Sequence, residues 1–217
     1  MKPLAASVEE CLELAIRYVN AGQAERARHL CEFALEQHPP DAAVLQLLAT
    51  LHQRRGDLEA AAHAIGHSLG LRPDHPQALL LAGEVARQRG ELLSALAHHR
   101  RAAALAPSNP DAWFGLALAL QDTRDLNGAI AALESALRLA PTRAEVEVNL
   151  GIVLQEVGRI DAALLAYGRA YRLRSETFGR IAHALAAAPT GRLWLDLDAL
   201  RETLRNVSAS DAAKGRP

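Results

Sequence analysis

The sequence predicts an all-α fold, a helical solenoid of tandem helix-turn-helix units, and three periodic features predict it. Proline recurs every 34 residues, at Pro39, Pro73, Pro107 and Pro141. At an average usage of about 5%, three further prolines landing in register has a chance of roughly one in ten thousand. Alanine keeps the same step through Ala27, Ala61, Ala95, Ala129 and Ala163, and glycine through Gly22, Gly56, Gly90 and Gly158. Such an array buries apolar surface between neighbouring units rather than around one centre.

Aligned on the prolines, the chain gives five units, residues 8–41, 42–75, 76–109, 110–143 and 144–177, after a short lead of residues 1–7. Each unit reads as two helices. The glycines mark the break inside a unit, because glycine takes the positive φ that ends a helix at no steric cost; the fourth unit puts Arg124 there instead. The prolines mark the break between units, since proline lacks the N–H that a continuing helix needs. Asp74, Ser108 and Thr142 follow them as expected helix caps, and Pro76 and Pro110 fall in the first turn of the next helix, where a missing N–H costs nothing. In the second helices the alanine column permits close approach to the first helix. Leu58, Leu92, Leu126 and Ile160 precede it by three residues, and Leu71, Leu105, Leu139 and Leu173 close the same helices; both columns are expected to pack. First helices carry a matching apolar face, such as Trp113, Leu116, Ala117 and Leu120, or Leu150, Gly151 and Leu154.

After residue 177 the register fails. Phe178 to Ala188 reads as a further helix, and Pro189 and Gly191 break it. Arg192 to Val207 reads as an amphipathic helix with Trp194, Leu197 and Leu204 on its apolar side. An open solenoid leaves the last unit's apolar face bare, so residues 178–207 are expected to cap it, with docking into a partner as the alternative for the last helix. Residues 208–217 are small and polar and are expected to be disordered.

The unit resembles the tetratricopeptide repeat. The residues that carry the likeness are Trp113 or Leu79 near the start, Gly83 or Gly151 in the first helix, Ala95 or Ala163 in the second, Tyr167 four residues on, and the closing proline. The likeness covers 170 of 217 residues. Glu147 departs from it where a large apolar residue is usual, Cys31 and His99 where an aromatic is usual, and Ser175 where a fifth proline would stand. The resemblance implies a right-handed superhelix whose first helices line a concave groove. Residues at i, i+4 and i+7 of those helices would then face the groove: Gln46, Thr50 and Gln53; Leu80, Glu84 and Arg87; Phe114, Leu118 and Gln121; Val148, Ile152 and Gln155. Gln53, Arg87, Gln121 and Gln155 form a ladder of long hydrogen-bonding side chains. Leu80, Phe114, Leu118, Val148 and Ile152 form an apolar stripe beside it. That pairing suits an extended or helical peptide; the competing reading is a packed inner wall with a solvated rim.

Two specialised uses of the family are absent from these columns. A carboxylate clamp needs lysines, asparagines and arginine where Leu12, Ile16, Gln46, Leu47, Thr50, Gln77 and Leu81 stand. An asparagine ladder would occupy Glu13, Leu47, Leu81, Gly115 and Asn149, and only the last is asparagine.

Bulk composition points the same way. With 24 basic and 25 acidic residues the chain has no electrostatic footprint for nucleic acid or an anionic membrane. No apolar run reaches the roughly 18 to 20 residues that span a bilayer, and acidic Glu9 and Glu10 come too early for a signal peptide, so a cytoplasmic protein is expected. Cys11 and Cys31 fall on apolar helix positions and read as small buried hydrophobes. His63 and His67 form an i, i+4 pair that reads as a solvated helix face rather than a metal site, and no phosphate loop, nucleophile elbow or zinc-protease motif is present. The expectation is a non-enzymatic scaffold, without cofactor or metal, that binds a protein or peptide. A recruitment subunit for a transferase or oxygenase is the second reading. A monomer is expected, with self-association through a solenoid end as the alternative.

Overall fold

The computed structural model describes residues 7–187 and 196–207, and among them every regular element is helical. The chain divides into two units, Met1–Leu105 and Ala106–Pro217. The first holds three hairpins: α1 (Val8–Asn20) with α2 (Ala24–Gln37), α3 (Ala42–Arg55) with α4 (Leu58–Leu71), and α5 (Pro76–Gln88) with α6 (Leu92–Leu105). The second holds α7 (Pro110–Asp122) with α8 (Leu126–Leu139), α9 (Ala144–Glu156) with α10 (Ile160–Leu173), a 3₁₀ turn (Ser175–Thr177), α11 (Phe178–Ala187) and α12 (Leu197–Asn206). Within each unit the second helix of a hairpin also packs on the first helix of the next: α2 on α3, α4 on α5, and α8 on α9. The fold class is therefore the all-α tandem-hairpin solenoid read from the sequence.

The turn inside each hairpin is the most regular feature. Gly22, Gly56, Gly90 and Gly158 have φ between 72 and 85°, and the backbone N–H that follows reaches back five residues. The five closing bonds run from Gln23 to Tyr18, Asp57 to His52, Glu91 to Ala86, Asp125 to Leu120 and Arg159 to Leu154, at 2.8–3.0 Å. They satisfy carbonyls that a helix end leaves open. The fourth turn makes the same bond with Arg124 at φ 65°, a conformation that costs a side-chain-bearing residue about 1 kcal/mol. Arg124 also forms an exposed ion pair with Glu156 at 2.7 Å, worth at most about 1 kcal/mol. Arg124→Gly is expected to leave thermal stability equal or raise it by about 1–3 °C in a melting experiment; a fall of several degrees would show that the ion pair outweighs the strain.

Helix starts lie one residue later than the sequence reading placed them. His75 and Asn109, not Asp74 and Ser108, accept the first-turn N–H groups, from Ala78 and Asp111. Proline at the first helical position makes the residue before it the cap, and Asp74 instead pairs with Arg101. Arg143, not Thr142, precedes α9 and makes no side-chain cap bond. Ser7 and Glu10 close a reciprocal capping box on α1.

Core packing follows two columns. The alanines Ala27, Ala61, Ala95, Ala129 and Ala163 are all enclosed, at 0–1% exposure. The second column pairs a small residue of the first helix with the side chain sixteen residues later. Gly83 lies beneath His99 and Gly151 beneath Tyr167, so closely that a Cβ on either glycine would sit 2.4–2.7 Å from ring atoms. Where the later residue is aliphatic rather than a ring, as in Ala49 with Ile65 or Ala117 with Leu133, alanine stands in place of glycine, and all four are buried. The departures noted in sequence are absorbed locally. Glu147 is 5% exposed and receives two bonds from Arg169, at 2.6 and 2.9 Å. Cys11 and Cys31 sit in one apolar cluster of the first hairpin, where burial pushes the Cys31 thiol up to about 12; a protonated thiol is inert as nucleophile.

Two packing expectations fail: in the column before the alanines, Leu92 is 37% exposed and Leu58, Leu126 and Ile160 are only half-buried, and the closing column is exposed throughout. Leu71, Leu105, Leu139 and Leu173 are 42–50% exposed, because they lie in the last turn of their helices, beyond the reach of the facing first helix. In the C-terminal part, α11 ends at Ala187 and the last helix begins at Leu197 rather than Arg192. Trp194, residues 1–6 of the expected lead 1–7 and the tail of residues 208–217 lie outside the described residues.

Candidate functional site: the first-helix faces

In the first unit, α3 and α5 present Gln46, Thr50, Gln53, Leu80, Glu84 and Arg87, all half-buried. Thr50 turns its hydroxyl back to the Gln46 carbonyl at 2.9 Å, which leaves Gln46 and Gln53 as the amides of this face. Glu84 accepts from Arg87 Nε and Nη2 at 3.0 and 2.9 Å and from Gln88 at 2.7 Å. Burial alone would raise the Glu84 carboxyl; the bonds from Arg87 and Gln88 and the charge of Arg87 and His99 overcome it and hold the group below its ordinary value. The centre of this face is thus a matched ion pair rather than a lone charge.

In the second unit, α7 and α9 present Phe114, Leu118, Gln121 and Ile152, also half-buried. Val148 and Gln155, expected on the same face, are enclosed at 0% and 8% exposure and leave the set of accessible residues. Gln155 is fully committed: its amide donates to the Ala184 carbonyl of α11 at 3.0 Å, and its carbonyl accepts from the Tyr167 hydroxyl at 3.0 Å. Gln121 donates to Glu156 at 2.6 Å. The ladder position of α9 therefore links the helix to its successor, and that of α7 reaches across to α9. Asn149, the one asparagine of its column, bonds the Glu145 carbonyl of its own helix.

The sequence reading missed Arg143. It precedes α9, bonds Asp111 and Glu145 at 2.6 and 3.0 Å, and holds its guanidinium 5.4 Å from the Phe114 ring centroid. Burial lowers its pKa, but Asp111 and Glu145 together raise it above the ordinary value. The guanidinium facing the ring stays charged. The signal was present in the spacing, since Asp111 and Arg143 lie 32 residues apart, close to one repeat. The apolar stripe of this unit is accordingly Leu118 and Ile152, with Phe114 under a cation.

Elsewhere in the first unit a recess of about 520 Å³ opens among α2, α3 and α4, with Leu45, Leu48, His52, Glu59, His63 and His67 on its walls. The His63 and His67 rings lie 4.2 Å apart. Among the described residues no three histidines, cysteines or carboxylates converge as metal donors, and no helix is long and apolar enough to cross a membrane.

Residues 12–64, 46–110 and 94–144 each match the family model of the tetratricopeptide repeat, together more than half of the chain. The chain belongs to the tetratricopeptide repeat family. No curated protein matches it. Among solved structures, a tetratricopeptide repeat solenoid of the same kind is seen in MamA (residue 41 to the end) from Desulfovibrio magneticus RS-1. The two align at a TM-score of 0.72 with 21% identity over 80% of this chain and 98% of that one. TTC0263, a thermophilic TPR protein from Thermus thermophilus, aligns at 0.65 with 23% identity over 82% and 99%. YrrB, a TPR protein with an unusual peptide-binding site, aligns at 0.66 with 17% identity over 77% and 86%. At these identities the likeness shows the fold. Tetratricopeptide repeat proteins of this kind are protein-interaction modules.

Proposed function

We propose that this chain is a non-enzymatic adaptor whose five repeats, residues 8–177, hold a peptide or a protein surface on their first-helix faces, with residues 178–207 as the cap. The observation that carries the reading is the accessible apolar contact on those faces, set among polar groups that are already oriented. Leu118 and Ile152 are half-buried, not enclosed, and lie beside Arg143 on Phe114 and the Gln121–Glu156 pair. An apolar contact flanked by oriented polar groups is what recognition of a peptide requires. The Glu84–Arg87 pair gives the face of the first unit both a donor and an acceptor for a polar partner. YrrB, which shares the fold, carries a peptide-binding site, and the same use is proposed here.

The test is capture of binding partners from a native extract by wild type and by Phe114→Ala/Leu118→Ala. Both side chains are half-buried, so their loss is expected to cost only about 1–3 kcal/mol of folding while partner capture falls at least tenfold. Capture that persists, or a melting temperature that collapses along with it, would return both residues to the packed wall.

A further inference from the structure

Helix α10 carries a notch into which the end of another helix fits. A Cβ on Gly168 would lie 2.2 Å from Cγ1 of Val207 and 3.0 Å from the Leu204 carbonyl oxygen, so glycine is what lets the two backbones meet. One turn further, Arg172 Nη1 donates to the carbonyls of Leu204 at 3.1 Å, Arg205 at 3.4 Å and Val207 at 2.9 Å. The last carbonyls of a helix have no partner within it, and their partial negative charge favours a cation at that end. Leu200 and Leu204 supply the apolar grip at 1% and 0% exposure, and the Arg201 guanidinium lies 4.3 Å from the Phe178 ring centroid. Asp198, Glu202 and Arg205 face solvent. Helix α12 thus packs on α10 with its C-terminal end at the last turns of α10.

Ten residues make a helix with little stability of its own, so α12 depends on this notch. It is tethered through residues 188–195, which include Pro189 and Gly191, and eight residues of chain reach at most about 28 Å. The notch fits the α12 of another copy by identity. We propose that Gly168 and Arg172 form a binding site for the C-terminal end of an amphipathic helix, filled in cis by α12 and in trans by the α12 of a second copy. Exchange re-forms each of these contacts and breaks none, the low-cost route by which identical chains swap an element. The tether favours the monomer at low concentration and yields as concentration rises.

A labelled peptide of residues 196–207, acetylated and amidated at its ends, is titrated into full-length Leu200→Asp/Leu204→Asp, whose own α12 is dislodged. Saturable anisotropy is expected, at least tenfold weaker with the wild-type chain, whose notch is filled, and at least tenfold weaker again when Arg172→Ala is added to the double variant. Mixing the double variant with Gly168→Leu pairs an intact notch with an intact helix and is expected to double the mass by light scattering. Arg172→Glu replaces Gly168→Leu if circular dichroism shows that the latter does not fold. No saturable binding to the double variant, binding indifferent to Arg172→Ala, or a mixture that stays at monomer mass would each overturn the proposal.

Discussion

Gly151→Ala is expected to lower the thermal midpoint by about 4–8 °C, although alanine is the better helix former by ~1 kcal/mol. The added methyl would lie 2.4 Å from the Tyr167 ring. That ring is enclosed at 0% exposure, and its hydroxyl is tied to Gln155. Neither the ring nor the backbone has room to yield, and overpacking of this kind costs up to about 3 kcal/mol. In a chain of this length the net ~2 kcal/mol corresponds to that range of temperature. Two companions isolate the cause. Gly66→Ala, also within a helix but with nothing within 4 Å of the new methyl, is expected to be neutral or stabilising. Gly151→Ala/Tyr167→Leu recreates the pairing of Ala117 with Leu133 and is expected to recover at least half of the loss, less ~1 kcal/mol for the unpaired Gln155 carbonyl. Equal effects of Gly66→Ala and Gly151→Ala would remove steric complementarity as the explanation.

His99 is expected to make the protein acid-sensitive over a defined window. Its ring is 3% exposed and neither nitrogen has a hydrogen-bond partner. Burial lowers its pKa from 6.5 to about 4, against an opposing pull from Glu84, while the charges of Arg87 and His98 add to the lowering. The folded value lies below the unfolded one, so the neutral ring contributes fully above about pH 6.5. That contribution shrinks as pH falls and is gone below about pH 4, a total of ~3 kcal/mol. Two neighbours push in the same direction. His98 is lowered by burial and by Arg101, and the Glu84 carboxyl, already below its ordinary value, loses its bonds when protonated. Denaturant unfolding between pH 7 and pH 4 is therefore expected to show a steep loss for wild type and a shallower one for His99→Phe, which keeps an aromatic ring over Gly83. The stability of wild type relative to His99→Phe should fall by ~3 kcal/mol from pH 7 to pH 4. Parallel curves would mean that the ring is hydrated or already paired in solution.

The candidate faces were legible in sequence only as far as position within the repeat allowed. The spacing located Phe114, Leu118, Gln121 and Ile152 on first helices, and the structure finds them half-buried there. It could not register that Val148 and Gln155 are enclosed, because Gln155 is spoken for by Ala184, on a helix beyond the last proline of the pattern. Nor did it point to Arg143 over Phe114, since a residue just before a helix was read for its backbone role and its side chain acts across a repeat.

What the sequence by itself determined is the hairpin. A positive φ at Gly22, Gly56, Gly90 and Gly158, proline at the first position of α5 and α7, and alanine between paired helices are choices made within a few residues, so each was readable in place. The tertiary structure decided which surfaces remain. Leu139 and Leu173 close their helices in identical fashion yet stay exposed, while Val148 disappears from view, and α12 lands on α10 because Gly168 and Arg172 receive its end. Burial is a property of whatever packs against a residue, and that neighbour lies a full repeat or more away along the chain.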